Sequence, residues 1–232
     1  MKSFEKLFKR IGFEISDKEL LREAFTHRSA VNERSNLKFH NERLEFLGDA
    51  VLELISTDFL FRKFPDKPEG ELTALRSALV KGEHLAEVSL RLGLGEYLIL
   101  SKGEERSGGR DKDYLLANLL EAFIGAIYLS KRIVQCREFV EKFVLSDVDD
   151  ILASGGHIDA KSEFQELAQS LENPVTPHYE VLSEEGKDHD KVFVMGAYLG
   201  DEKVGEGCGR SKKEAQVMAA GDALEKRLMW RK

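Results

Sequence analysis

The sequence predicts two small domains of different class. One is a mainly α-helical N-terminal domain over residues 1–152; the other is an α+β domain of α-β-β-β-α order over 159–232, with a linker at 153–158 between them. Three observations predict this. Apolar residues recur at helical spacing through most of the first 150 positions. The run Ala153-Ser154-Gly155-Gly156-His157 then breaks the pattern with small residues, the composition of a short flexible linker. Beyond it, 177–185 and 191–199 read as strands, and a length of 232 residues suits two domains with a core each.

The elements follow in order. Helical spacing predicts helices over 3–11, 41–63, 69–80, 82–92, 112–131 and 134–146. Ser16–Glu19 reads S-x-x-E ahead of an apolar run, a capping-box start, and the prolines of Phe64-Pro65-Asp66-Lys67-Pro68 punctuate one junction. Ser107-Gly108-Gly109 reads as a mobile loop. In the second domain a helix is expected over 159–172. Lys191 to Leu199 followed by Gly200-Asp201 predicts a hairpin into a third strand at about 203–209, and Ser211 opens a closing helix with a second capping box, SKKE.

Two of the predicted helices carry unusual acids. In NERLEFLGDAVLEL, residues 41–54, the acids Glu42, Glu45, Asp49 and Glu53 fall at i, i+3, i+7 and i+11, one narrow stripe on a helix of 3.6 residues per turn. Nearly all other positions are apolar, so the helix reads as buried around most of its girth, with carboxylates carried into the core. Glu45 and Asp49, at i, i+4, repel each other and need a cation or donors to offset them. The second segment, LLANLLEAFIGAIYL at 115–129, has only Asn118 and Glu121 as strongly polar residues, on one face, with Gly125 one turn on to let another helix approach closely. At fifteen residues it falls short of the ~20 a membrane span needs. Alone, Asn118 and Glu121 read equally well as an internal hydrogen-bonded pair; two such helices together point to oxygen ligands for a hard cation, Mg²⁺ or Mn²⁺. No Cys or His has zinc-site spacing.

The stretch NERLEFLGDAVLEL resembles the signature of the ribonuclease III family, the double-stranded-RNA endonucleases. FTHRSAVNE at 25–33, KGEERSGGR at 102–110 and ANLLEAFIGAIYL at 117–129 resemble it in order and spacing, and the α-β-β-β-α half resembles the double-stranded-RNA-binding domain. The resemblance covers essentially the whole chain. It implies a helical endonuclease domain whose metal and catalytic carboxylates match Glu45, Asp49 and Glu121 here, with Asp49 and Glu121 orienting or deprotonating the nucleophile. Asn118 stands where many members have Asp; its amide oxygen can still ligate a metal, with one negative charge fewer. Glu42 matches a further family acid that could simply hold a nearby basic side chain. The resemblance also implies 5′-phosphate and 3′-hydroxyl products with short 3′ overhangs; because the attacker is water, no ribose 2′-OH nucleophile is required and no His pair is expected in the site. Arg110 and Lys112 are placed near the cleft.

For the second domain, the resemblance puts Gln165, Glu166 and His189 against minor grooves and 2′-hydroxyls. Lys212 and Lys213 sit in the first turn of a helix whose free N–H groups attract phosphate, and Gly207 and Gly209 are expected to let backbone approach the RNA. A homodimer is implied, one active site per strand across a duplex with its own dyad, and Phe46 beside the acidic stripe is a plausible interface aromatic; the plainer reading makes it intrachain core.

Charge runs against this. Residues 157–232 hold 11 Lys and Arg against 15 Asp and Glu, a net of −4, which leaves −3 of the total −7 for 1–156. Net charge alone therefore argues against RNA binding, which must rest on local clusters. Cys136 and Cys208 fall in different domains, which suggests no disulfide framework and a reducing cytoplasm; no signal or membrane segment is visible, and no small-molecule organic cofactor is implied. The expected function is a Mg²⁺-dependent (Mn²⁺ may substitute) double-stranded-RNA endonuclease that processes structured ribosomal and messenger RNA precursors. The alternative is a catalytically weak double-stranded-RNA-binding protein on the same architecture, its site impaired by Asn118. A more remote one is a metal-dependent hydrolase of small phosphorylated substrates.

Overall fold

The computed structural model of the chain describes residues 3–34, 37–154, 160–186 and 191–230. The chain divides into two compact units, Met1–His157 and Ile158–Lys232.

The first unit is helical: α1 Glu5–Ile11, α2 Lys18–Ala24, α3 Arg28–Val31, α4 Glu42–Lys63, α5 Glu69–Val80, α6 Gly82–Arg91, α7 Lys102–Arg106, α8 Asp113–Phe143 and α9 Val148–Ser154. Its axis is the α4–α8 pair. Leu119, Leu120, Phe123, Ile124 and Ile127 of α8 are fully buried, as are Leu52 and Ile55 of α4. The two backbones meet where neither has a side chain: a Cβ at Gly48 would fall inside the Glu121 carbonyl, and one at Gly125 inside the Leu44 carbonyl. Gly125 thus does what its position predicts, and Gly48 is its unforeseen counterpart. An aromatic chain fills the centre, with ring centroids 5.0 Å apart for Phe4–Phe25, 5.4 Å for Phe25–Phe123 and 5.6 Å for Phe123–Phe139. Each such pair contributes about 0.5–1.5 kcal/mol beyond its buried area.

The two helices predicted over 112–131 and 134–146 are one long element broken at Arg132, whose φ of 65° is left-handed. By length and composition α8 could cross a membrane, yet it is the central helix of this core and carries Glu121 inside it.

Two expectations are corrected. The α4 helix is not buried around its girth: Phe46, Leu54 and Phe61 are 80%, 61% and 70% exposed, and Asp49 is exposed too. Packing against α8 requires one face only, and 46, 50 and 54 fall i, i+4 apart on another. The cap of α2 is Asp17, which accepts from the Leu20 N–H, and not Ser16. At 107–109, Ser107 and Gly108 are exposed and Gly108 is left-handed, while Gly109 is buried against the Glu104 backbone.

The second unit runs α10 Ala160–Gln169, β1 His178–Glu185, β2 Val192–Leu199, β3 Glu202–Gly209, α11 Lys212–Glu225 and α12 Arg227–Trp230. The strands form an antiparallel sheet in the order β1-β2-β3, turning at Gly200 with φ 57°. Helices α10 and α11 cover it around Phe164, Met195, Ala197 and Ala219, and the Trp230 Nε1 donates to the Ala223 carbonyl at 2.8 Å while its ring meets Phe164 edge-on. Here Gly207 and Gly209 are corrected. A Cβ on Gly207 would strike the Ala219 backbone, and one on Gly209 would lie 2.7 Å from the Ala215 N. These glycines let α11 lie flat on β3, so their bare faces point into the unit and not toward a nucleic acid.

Candidate active site

The crossing at Gly48 and Gly125 sets the site, because it brings the acids on the next turns of the two helices together. Glu45 and Asp49 of α4 face Asn118 and Glu121 of α8, and the electrostatics register their proximity. Burial, followed by Asp49 and Glu45, pushes the Glu121 carboxyl up to about 7. Burial, then Glu42 and Asp49, also raises Glu45, opposed by the Asn118 side chain. The partly buried Glu45 and Glu121 lie near the exposed Asp49, a corner where a proton or a cation would offset part of the negative charge. Among the described residues, no three His, Cys, Asp or Glu side chains are drawn in to ligand distances. An all-oxygen set of this kind fits Mg²⁺ or Mn²⁺ in preference to Zn²⁺.

The other two acids of the predicted stripe do different work. Glu42 stands between Arg28 Nη1 at 3.5 Å and His40 Nδ1 at 3.7 Å, the basic company foreseen for it. Glu53 leaves the site and reaches Arg76 at 3.8 Å.

A cleft of about 870 Å³ opens beside Glu45 and Asn118, walled by His27, His40, Glu104 and Tyr114 among others. Sequence reasoning missed these four, although FTHRS and KGEER carry two of them. Two histidines therefore stand in the wall where no pair was expected. His27 Nδ1 accepts from the Ser29 N–H and so caps α3; burial lowers its pKa, with Glu104 opposing. Lys112 reaches the cleft only by holding Glu104 at 2.7 Å. Arg110 is not in the cleft: it donates to the Gly95 and Leu98 carbonyls, each at 2.7 Å, and pairs with Glu105, which ties the loop down.

In the second unit Gln165 and Glu166 are exposed on α10 and Lys212 and Lys213 on the first turn of α11. Ser211 Oγ accepts from the Glu214 N–H at 3.1 Å, as the capping box predicts, while the Glu214 carboxylate takes the Arg210 N–H. Lys161 on α10 donates to Gln216 on α11 at 2.8 Å, which links the two helices near their N-terminal turns. His189 lies outside the described residues.

Comparison with known proteins bears on both units. Residues 17–148 match the family model described as Ribonuclease-III-like, and 160–227 match the double-stranded RNA binding motif. The chain is 46% identical over 218 residues to Ribonuclease 3 of Desulforamulus reducens, covering 93% of this chain and 88% of that one. It is 42% identical over 228 residues to Ribonuclease 3 of Lactococcus lactis subsp. cremoris, covering 97% of each. A crystal structure of the nuclease domain of ribonuclease III from Campylobacter jejuni superposes with a TM-score of 0.58 at 39% identity, covering 63% of this chain and 97% of that one. A second structure of that domain, described as flexible in the region of dimer formation, gives 0.57 at the same identity over 61% and 96%. With a nuclease unit and an RNA-binding unit matched in the same order along nearly the full length of these relatives, the chain belongs to the ribonuclease III family.

Proposed function

We propose that this ribonuclease is a divalent-cation-dependent endonuclease of double-stranded RNA, with Glu45, Asp49, Asn118 and Glu121 as the cation-binding and catalytic set. One observation carries the reading: a glycine-packed helix crossing gathers three carboxylates at one corner, and burial, reinforced by Asp49 and Glu45, drives Glu121 up to about 7. A bound Mg²⁺ would supply a positioned, acidified water and charge neutralisation at the phosphate. The residues do the rest. Glu121, its carboxyl pushed up by burial, must release its proton to act as ligand or base. Asp49, exposed on the same corner, would orient the attacking water. Asn118 contributes a neutral carbonyl oxygen and steadies Glu45. With water as the attacker and the 3′ oxygen as the leaving group, the ends would be 5′-phosphate and 3′-hydroxyl.

The second unit would grip the duplex through Lys212 and Lys213 at the α11 N-terminus, with Gln165 and Glu166 in a groove. A homodimer would cover the exposed α4 stripe at Phe46, Leu54 and Phe61 and place one site on each strand. Free Cys136 and Cys208 suit a reducing cytoplasm, and structured ribosomal and messenger RNA precursors are the natural substrates of such an enzyme.

Cleavage of a long labelled RNA duplex, with and without Mg²⁺, tests the reading against single-stranded RNA and a Glu121→Gln variant. Cutting of the duplex alone, lost on chelation and in the variant, is the expected result. Binding without cutting, even with Mn²⁺, would refute it and make the chain an RNA-binding protein.

A further inference from the structure

The cleft beside Glu45 and Asn118 has a basic wall as well as an acidic one. Arg28, Lys38 and His40 line it together. The strap that carries Lys38 and His40 is pinned at both ends. Leu37, 8% exposed, donates its N–H to the Arg34 carbonyl at 2.9 Å; Asn41, 4% exposed, donates to the Thr26 carbonyl at 2.9 Å. Arg28 opens α3 and reaches Glu42 only loosely, its side chain 71% exposed. Lys38 is exposed and has no acidic partner among the described residues.

His40 adds a second kind of observation. Its Nδ1 is enclosed and has no hydrogen-bond partner among the described residues, and Glu42 at 3.7 Å is too far to serve. An enclosed polar atom left unpaired costs about 1–3 kcal/mol. A ligand that draws the ring round so that this nitrogen meets a partner in the cleft relieves the cost, and an anion there accepts from the ring N–H.

The electrostatics call for such a wall. An acidic corner that collects cations repels an RNA strand, and residues 1–156 carry a net −3, so no long-range attraction guides the strand in. Local cations at the edge of the acidic site are what can hold it.

We propose that Arg28, Lys38 and His40 form a phosphate subsite on the nuclease unit that holds the RNA strand next to the bond to be cut. The proposal rests on the reading of the chain as a double-stranded-RNA nuclease. Lys38 acts as a point charge toward the phosphate, and His40 donates from the ring nitrogen that faces the cleft.

The test is equilibrium binding of the full chain to a fluorescein-labelled RNA duplex in EDTA over a salt series. It compares wild type with Lys38→Ala, Lys38→Arg and His40→Ala, beside Mg²⁺-dependent cleavage of the same duplex. Lys38→Ala should bind several-fold more weakly, with the slope of log K against log salt smaller by about 1, the signature of one lost phosphate contact. Lys38→Arg should restore both. His40→Ala should also weaken binding several-fold; should it unfold, the exposed Lys38 still decides the matter. Unchanged affinity and slope in Lys38→Ala would overturn the subsite, as would a Lys38→Arg protein as weak as the alanine variant. Full cutting by wild type with Lys38-independent binding discards the subsite and keeps the nuclease. Lys38-dependent binding without cutting keeps the subsite and discards the nuclease.

Discussion

Replacing Glu121 with Gln should stabilise the metal-free protein while destroying its activity. A carboxyl moved from 4.5 to about 7 resists ionisation by roughly 3 kcal/mol at 1.36 kcal/mol per tenfold. Glu121 keeps some solvent contact, which screens part of this, so about 2 kcal/mol is a fair expectation. The sign follows from proton linkage. The folded state holds the Glu121 proton more tightly than the unfolded chain does. Stability therefore falls as pH rises from 4.5 through about 7, then levels off. Glutamine is neutral and nearly isosteric, so the variant escapes the loss. In EDTA at pH 8 its melting temperature should exceed that of wild type by about 4–8 °C, at 2–4 °C per kcal/mol for a chain of this size. At pH 5, where Glu121 is already protonated, the two should melt within about 2 °C. Cleavage should fall by about 10²–10⁴. Thermal denaturation in EDTA across pH 5–8 is the assay. A Glu121→Gln protein no more stable than wild type at pH 8 would refute the claim that three carboxylates crowd this corner.

Three further outcomes are expected. Gly48→Ala drives a methyl into the Glu121 carbonyl and must part α4 from α8; it should cost at least about 1–3 kcal/mol and most of the cleavage, and a wild-type melting temperature would count against the glycine-packed crossing. Asn118→Asp restores a fourth carboxylate: the Mg²⁺ concentration for half-maximal cleavage should fall several-fold while the metal-free melting temperature drops, and an unchanged Mg²⁺ requirement would remove Asn118 from the ligand set. Phe46→Glu places a charge on a side chain that is 80% exposed, so it should yield a sedimenting monomer with its helical circular dichroism intact; a persistent dimer would put the interface elsewhere.

Much of this molecule is legible in its amino-acid order, because periodicity reports local geometry. The spacing of Glu42, Glu45 and Asp49 places them on one face of one helix; that of Asn118 and Glu121, with Gly125 beyond, marks a face and a close approach on another. The strands, the Gly200 turn and the Ser211 cap are likewise written in runs of a few residues.

Periodicity cannot say which faces meet. That α4 crosses α8 at Gly48, that Glu53 turns away to Arg76, and that Phe46 stays in the open were settled by which pair of faces buried more apolar surface. The same holds for Gly207 and Gly209: the sequence alone shows glycines ahead of a helix that opens on two lysines, and only the packed unit shows their bare faces against α11. His40 and Glu104, more than sixty residues apart, enter one cleft because the core folds their segments together. Local order therefore determined what each element is and which residues it offers, and tertiary packing decided which of those residues come together in one site.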